Sequence, residues 1–97
     1  MKAWRVRFTM EASRLVAGLH PDIKKQIKKE LNGLRENPYA GKDLQEELSG
    51  FKSQRSKQHR IIYDLDETQQ SLQVYFVGRR SDIYEQFRRL LADLQEP

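Results

Sequence analysis

The sequence predicts an α+β fold, in which helices pack on a mainly antiparallel sheet of about four strands. An alternating segment begins the chain, two helical segments follow it, and three strand-like segments precede a last helix. Connections as short as those between the three later strands join antiparallel neighbours. The order β-α-α-β-β-β-α therefore layers helices on a sheet. We expect one sheet face to be covered by helices and the other to be left free for a site.

The N-terminal half supplies the first strand and the two helices. Trp4, Val6 and Phe8 alternate with polar residues, which predicts a strand with one buried face. Thr9 is placed to cap a short helix, and Pro21 suits the first turn of a second helix. One apolar stripe marks the buried face of that second helix: Ile23, Ile27, Leu31 and Leu34.

The C-terminal half supplies the remaining strands and the last helix. Residues 51–55, 60–65 and 72–77 are predicted strands, separated by short polar segments. Tyr63, in the middle of the second of these, is expected in the core. Helical periodicity returns from Asp82 onward, with an apolar face formed by Ile83, Phe87, Leu90, Leu91 and Leu94.

Composition narrows the possible functions. The chain has 97 residues, which predicts a single domain over residues 1–97, and a net charge of +4. It has no cysteine and two histidines. A disulfide, a thiolate nucleophile and a cysteine zinc site are therefore excluded, and we expect neither metal nor cofactor.

Two further features bear on location. No apolar run approaches the roughly 20 residues needed to cross a membrane, so no membrane partner is expected. The first five residues, Met1 to Arg5, lack the apolar stretch of a signal peptide. We expect the protein to work in the cytoplasm.

Basic residues concentrate where the later strands meet. Between residues 52 and 60 there are four basic side chains and no acidic one, and two more arginines end the last strand. If these strands pair in sequence order, the bases converge on one end of the sheet, where phosphate is a natural ligand for guanidinium groups. Exposed bases that discourage edge pairing of strands are the alternative. The six residues are Lys52, Arg55, Lys57, Arg60, Arg79 and Arg80.

Tyr84 follows this cluster at the start of the last helix. Nearby positive charge and a helix N-terminus both favour the phenolate form of a tyrosine. Such a group can act as a general base. The alternative is a boundary tyrosine whose ring is buried and whose hydroxyl meets water.

Several short motifs follow one another in a fixed order along almost the whole chain. They are Asn37-Pro38 with Gly41-Lys42, Leu48-Ser49-Gly50-Phe51, Arg60-Ile61-Ile62-Tyr63 and Gly78-x-Arg80-x-Asp82-Ile83-Tyr84. In this pattern the chain resembles the RelE/ParE superfamily of toxins from toxin–antitoxin pairs. The resemblance implies a small α+β fold with an antiparallel sheet cradled by helices.

RelE-like members of that superfamily are ribosome-dependent endoribonucleases that cut mRNA in the ribosomal A site without a metal. A ribose 2′-OH attacks the adjacent phosphate and leaves a 2′,3′-cyclic phosphate. By position, the resemblance implies that Arg60 holds the phosphate, that Arg80 protonates or stabilises the leaving oxygen, and that Tyr84 is the base. It also implies a catalytic role for Lys52, and RNA contact by Arg55, with Lys57 and Arg79 beside it.

The first hairpin strand departs from the family pattern. The family has two lysines two residues apart, whereas this strand reads Lys52-Ser53-Gln54-Arg55. Lys52 and Arg55 are three apart and should face opposite ways unless a bulge intervenes.

Two alternatives to the nuclease stay open. One is a ParE-like DNA gyrase inhibitor, which binds an enzyme and cuts no RNA. The other is an inactive basic binding module. The presence of Tyr84 together with Arg60 and Arg80 favours the RelE-like interpretation.

A cognate antitoxin is the expected protein partner. A basic domain with a small core suits a disordered acidic segment that folds upon it. Such a segment would cover basic residues and displace the C-terminal helix. The other expected partners are the ribosomal A site and mRNA, and DNA only indirectly through the antitoxin.

Overall fold

A computed structural model describes residues 3–95. Within them lie five strands and three α-helices, together with short 3₁₀ turns at residues 38–40 and 46–48. The elements in chain order are β1 (Arg5–Phe8), α1 (Met10–Ala17), α2 (Pro21–Glu36), β2 (Lys42–Asp43), β3 (Lys52–Ser56), β4 (His59–Asp66), β5 (Ser71–Arg79) and α3 (Ile83–Gln95).

The strands form one sheet in the order β1-β5-β4-β3-β2. β1 runs parallel to β5, and the other three pairings are antiparallel. The predicted α+β class, the mainly antiparallel sheet and the pairing of the last three strands in sequence order are confirmed. β2 was not predicted, because a strand of two residues is too short to show alternation.

Helices pack on both faces of the sheet. α1 and α2 bury one face, where the core contains Ala12, Ile27, Leu31, Tyr63 and Val74. On the opposite face α3 buries Ile83 and Phe87 against Ile62 and Phe76. The expectation of a sheet face left free is therefore wrong. The apolar side of α3 must also be buried, and the connection after β5 places this helix on the face that α1 and α2 do not cover.

The N-terminal predictions hold except at one residue. The Thr9 side chain accepts a hydrogen bond from the Ala12 backbone N–H at 3.1 Å, and Pro21 begins α2. Phe8, however, is 42 % exposed. It lies on the outer strand β1 and lines an open groove together with Lys28 and Leu31 of α2.

A bulge in β5 sets which side chains face α3. Ile62 pairs with Phe76 and Tyr63 pairs with Val74, so Tyr75 is left without a partner on β4. Tyr75 and Phe76 consequently both contact Phe87 of α3, as expected where a bulge breaks the alternation. Beyond the bulge, regular pairing continues toward the β3–β4 turn.

Among residues 3–95, no helix has both the length and the apolar character that a membrane span requires.

Candidate functional site: an arginine–serine–tyrosine cluster

Side chains from β3, β4 and α3 meet at one point on the α3 face of the sheet. Ser53 pairs with Ile62, whose side chain packs under α3, so the Ser53 side chain faces the same way. Arg60, two residues before Ile62, shares this face. The Arg60 Nη1 donates to Ser53 Oγ at 3.0 Å, and Tyr84 Oη lies 3.1 Å from the same oxygen.

The strand register and the start of α3 explain why these three side chains lie together. β3 and β4 pair without interruption from Lys52–Tyr63 to Ser56–His59, so the alternation of side chains is regular here. Tyr84 is the second residue of α3 and is half-buried. Gly78 lies opposite Arg60, and a Cβ placed there would come within 3.3 Å of Phe76 and 3.5 Å of Ile83. A small residue at this position lets the first turn of α3 approach the sheet.

Arg55 extends the positive surface of the cluster. It pairs directly with Arg60 across the β3–β4 hairpin, which places both side chains on one face. The Arg55 Nε donates to the backbone oxygen of Lys57 at 3.2 Å. Lys57, at the hairpin turn, is exposed. Like charges directly opposite one another are unfavourable unless an anion neutralises them.

Arg79 and Arg80 reach the same end of the sheet. Arg79 pairs with His59, and the backbone N–H of Arg80 donates to Gln58 at the hairpin turn at 2.9 Å. Both arginines are exposed, and with Gln58 and Ser81 they line a shallow depression. Arg80 is therefore fixed by its backbone beside the hairpin that carries Arg55 and Arg60.

His59 faces the other way from Arg60. It is 7 % exposed, and burial, followed by the positive charge of Arg79, lowers the pKa of its imidazole below the ordinary value. A buried neutral histidine on the helix α2 side of the sheet is a structural residue.

The structure does not bring Lys52 to this cluster. Lys52 pairs with Tyr63, which belongs to the core under α1 and α2, so it lies on the opposite face. Its Nζ forms an ion pair with Asp43 Oδ1 at 2.6 Å and lies 5.9 Å from the centre of the Tyr39 ring. The expected opposite orientation of Lys52 and Arg55 is confirmed.

Ser53 is the member of the cluster that the sequence did not single out. Its side chain stands between the two predicted catalytic groups and is 1 % exposed. The signal was present, because strand alternation places Ser53 on the same face as Arg55. A lone serine among basic residues carries no chemical signature of its own.

Arg55 and Arg60 form a cationic surface beside the Tyr84 phenol, and Arg79 and Arg80 line a separate depression at the same end of the sheet. Guanidinium groups bind the oxygens of a phosphodiester, and a phenol within the same cluster can exchange a proton with a hydroxyl beside it. The arrangement can therefore hold a phosphodiester and act on a neighbouring group.

Comparisons with known proteins agree with this fold. The sequence profile described as "ParE toxin of type II toxin-antitoxin system, parDE" matches residues 4–84. The RelBE2 toxin–antitoxin complex of Mycobacterium tuberculosis contains a chain that is 30% identical, with a TM-score of 0.75, over 80% of this chain and 99% of that chain. Comparison with curated proteins gives no significant match.

Two Escherichia coli structures share the fold at lower identity. A chain of the intact RelBE complex is 21% identical, with a TM-score of 0.69, over 81% of this chain and 99% of that chain. The isolated RelE toxin is 23% identical, with a TM-score of 0.68, over 92% of this chain and 99% of that chain. The profile match spans most of the sequence, and the chain therefore belongs to the RelE/ParE superfamily of type II toxin–antitoxin toxins.

Proposed function

We propose that this toxin is an endoribonuclease that cleaves mRNA on the ribosome, in the cytoplasm, and so inhibits translation. The observation that carries the proposal is the convergence of Arg60 and Tyr84 on Ser53 at the basic end of the sheet. The RelE-like motif pattern supports the same chemistry.

The proposed reaction is an attack of a ribose 2′-OH on the adjacent phosphate. Tyr84, as phenolate, takes the proton of the 2′-OH while the 2′-oxygen forms a bond to phosphorus. The bond from phosphorus to the 5′-oxygen breaks, leaving a 2′,3′-cyclic phosphate, and water supplies the proton that the leaving oxygen takes up. Arg60 binds the non-bridging oxygens, and Arg80 stabilises the negative charge on the leaving oxygen.

The remaining exposed bases bind the RNA on either side of the cut. Arg55 and Lys57 lie at the β3–β4 hairpin, where a bound strand would pass. Arg79, at the end of β5, pairs with His59 and so lies on the face away from Arg60, where it can contact only RNA that passes around the edge of the hairpin. Lys52 is assigned no step, because its ammonium group is paired with Asp43 on the other face.

A cognate antitoxin is the proposed protein partner. Two of the similar structures, one from M. tuberculosis and one from E. coli, are complexes of toxin and antitoxin. The net charge of +4 favours an acidic segment of that antitoxin as the covering element.

Primer extension on a defined transcript tests the reaction. After induction of the wild-type toxin, new 5′ ends should appear in the transcript with ribosomes present. Tyr84→Phe and Arg80→Ala should each reduce cleavage by about a hundredfold, the usual effect of removing one such group, and abolish growth arrest. The matched control is Tyr39→Phe, which removes an exposed tyrosine hydroxyl on the opposite face. Full toxicity of both site variants would contradict the assignment.

Inhibition of DNA gyrase is the second candidate. The orientation of Lys52 favours it, because the site then lacks the lysine expected of the RelE-like pattern. A supercoiling assay with purified gyrase and the purified toxin separates the two. Loss of supercoiling with intact transcripts would favour the gyrase target, and inactivity in both assays would favour a basic binding module.

A further inference from the structure

We propose that Ser53 is a positioning residue, which couples Arg60 to Tyr84 and orients the phenol oxygen for proton transfer. This inference rests on the proposed ribonuclease function and adds to it a residue that touches no substrate. It follows from the hydrogen-bonding capacity of the three groups.

The direction of the two hydrogen bonds is constrained by chemistry. A guanidinium has only donors, so in the 3.0 Å contact Ser53 Oγ must accept from Arg60. A serine hydroxyl has one proton to donate. Within residues 3–95, the only other hydrogen-bond partner of this hydroxyl is Tyr84 Oη, at 3.1 Å.

Burial decides which of the two hydroxyls donates in the reactive state. Ser53 is 1 % exposed, so no water can accept its hydroxyl proton if that proton is not donated to Tyr84. A buried donor without an acceptor is costly. Once Tyr84 is a phenolate it can only accept. The series of hydrogen bonds then runs from Arg60 through Ser53 to the Tyr84 oxygen, and each bond polarises the next.

These hydrogen bonds orient groups at both ends of the site. At one end, Ser53 holds the phenolate oxygen with a single donor and leaves its other lone pairs for the substrate 2′-OH. At the other end, Ser53 takes only one of the five N–H donors of Arg60, so the rest of the guanidinium is free for a phosphate. Because Ser53 lies in the ladder between β2 and β4, its own position is fixed by the backbone.

A double-mutant cycle in single-turnover RNA cleavage tests the coupling. The four proteins are the wild type, Ser53→Ala, Tyr84→Phe and the double variant. Ser53→Ala should slow cleavage by about tenfold or more in the wild-type background, as expected for a hydrogen bond to a charged group. In the Tyr84→Phe background its effect should be at least about fivefold smaller, because the oxygen that it orients is gone.

The matched control is Ser56→Ala. Ser56 is on the same strand and is 4 % exposed, but it pairs with His59 and faces away from Tyr84. It should leave the cleavage rate within about twofold of the wild type. Equal effects of Ser53→Ala in both backgrounds would overturn the inference while leaving the proposed nuclease intact.

A second cycle uses stability and needs no activity. The same four proteins are unfolded in urea, and the two single changes should be non-additive in the free energy of unfolding, since both delete one hydrogen bond. Additive losses would show that the Ser53–Tyr84 bond does not form and would overturn the inference. A wild type that cuts no RNA would instead overturn the proposed function, and the catalytic role of Ser53 with it.

Discussion

Tyr63 shows how one residue joins the core to the polar surface of the sheet. Its side chain is fully buried, its hydroxyl accepts from the Gly41 backbone N–H at 3.0 Å, and it donates to the Pro38 backbone oxygen at 2.9 Å. The sequence predicted a core position from the place of Tyr63 in the middle of a strand. It did not predict the two hydrogen bonds, because their partners lie more than twenty residues away on an irregular segment.

Removing the Tyr63 hydroxyl should destabilise the protein. Tyr63→Phe leaves a partly buried donor and a buried acceptor unpaired, so the free energy of unfolding should fall by about 1–3 kcal/mol. Urea denaturation measures the change. Tyr39→Phe, which removes an exposed hydroxyl bonded to Glu67, should leave stability almost unchanged. Equal free energies of unfolding for the two variants would show that the two hydrogen bonds of Tyr63 make no net contribution to stability.

His59 should make stability depend on pH on the acid side of neutrality. Burial and the charge of Arg79 lower the pKa of His59 in the folded protein. The unfolded chain therefore takes up this proton first as the pH falls, and stability is lost as the pH falls from the ordinary histidine value of about 6.5 through the lower pKa of the folded state.

His59→Gln should flatten that dependence. Thermal unfolding from pH 7.5 to 5.0 is measured in the wild type and the variant, both of which retain the exposed His20. As the pH falls, the melting temperature of the wild type should drop more steeply than that of the variant. Equal slopes would show that His59 does not cause the pH dependence.

At the scale of elements, the segment from Pro38 to Asp43 is a docked connection. Its 3₁₀ turn meets the hydroxyl of Tyr63, and β2 is tied to β3 through the Lys52–Asp43 ion pair. A Cβ on Gly41 would lie 2.3 Å from the Tyr63 hydroxyl. The sequence identified this segment only as part of the family motif pattern, since the reason for its glycine lies in a tertiary contact.

Two glycine substitutions should have opposite effects on stability. Gly41→Ala should destabilise the protein, because the buried Tyr63 ring has no room to move away. Gly33→Ala, in α2 where nothing lies within 4 Å of the new methyl group, should raise the free energy of unfolding by up to about 1 kcal/mol. Urea denaturation compares the pair. A tolerated alanine at position 41 would contradict the close packing of this connection.

How far the sequence predicts the fold depends on the length of each element. The α2 stripe and β3 to β5 were predicted to within a few residues, because each is long enough to show a period. The position of α3 on the opposite face was not, since periodicity gives a buried side of a helix but not the surface that it meets. The same limit hid Ser53, whose role arises only when β3, β4 and α3 come together.

At the scale of the whole molecule, positive charge is gathered at one end of the sheet. Arg55, Lys57, Arg79 and Arg80 are exposed there around the β3–β4 turn. A second basic surface lies on α2, where Lys25, Lys28 and Lys29 are exposed. The proposed function requires the first surface, and not the second, to bind RNA.

The salt dependence of RNA binding should distinguish these two surfaces. Each lysine or arginine that contacts a phosphate contributes to the slope of affinity against salt concentration. Lys57→Ala should weaken binding and reduce that slope by about one unit on logarithmic axes, whereas Lys25→Ala should leave it unchanged. Fluorescence anisotropy with a short labelled RNA measures both. A larger effect at Lys25 would place the RNA on α2.

The chemical form of the new RNA ends reports directly on the proposed reaction. Transcripts are isolated after toxin induction, and the 3′ ends at the cut sites are analysed with and without enzymatic removal of terminal phosphates. Attack by the 2′-OH predicts 2′,3′-cyclic phosphate at the 3′ end and a free 5′-hydroxyl on the other fragment, both reduced about a hundredfold with Tyr84→Phe. Free 3′-hydroxyl ends, or as many cyclic ends with Tyr84→Phe as with the wild type, would contradict a reaction in which Arg60 and Tyr84 act on one phosphodiester.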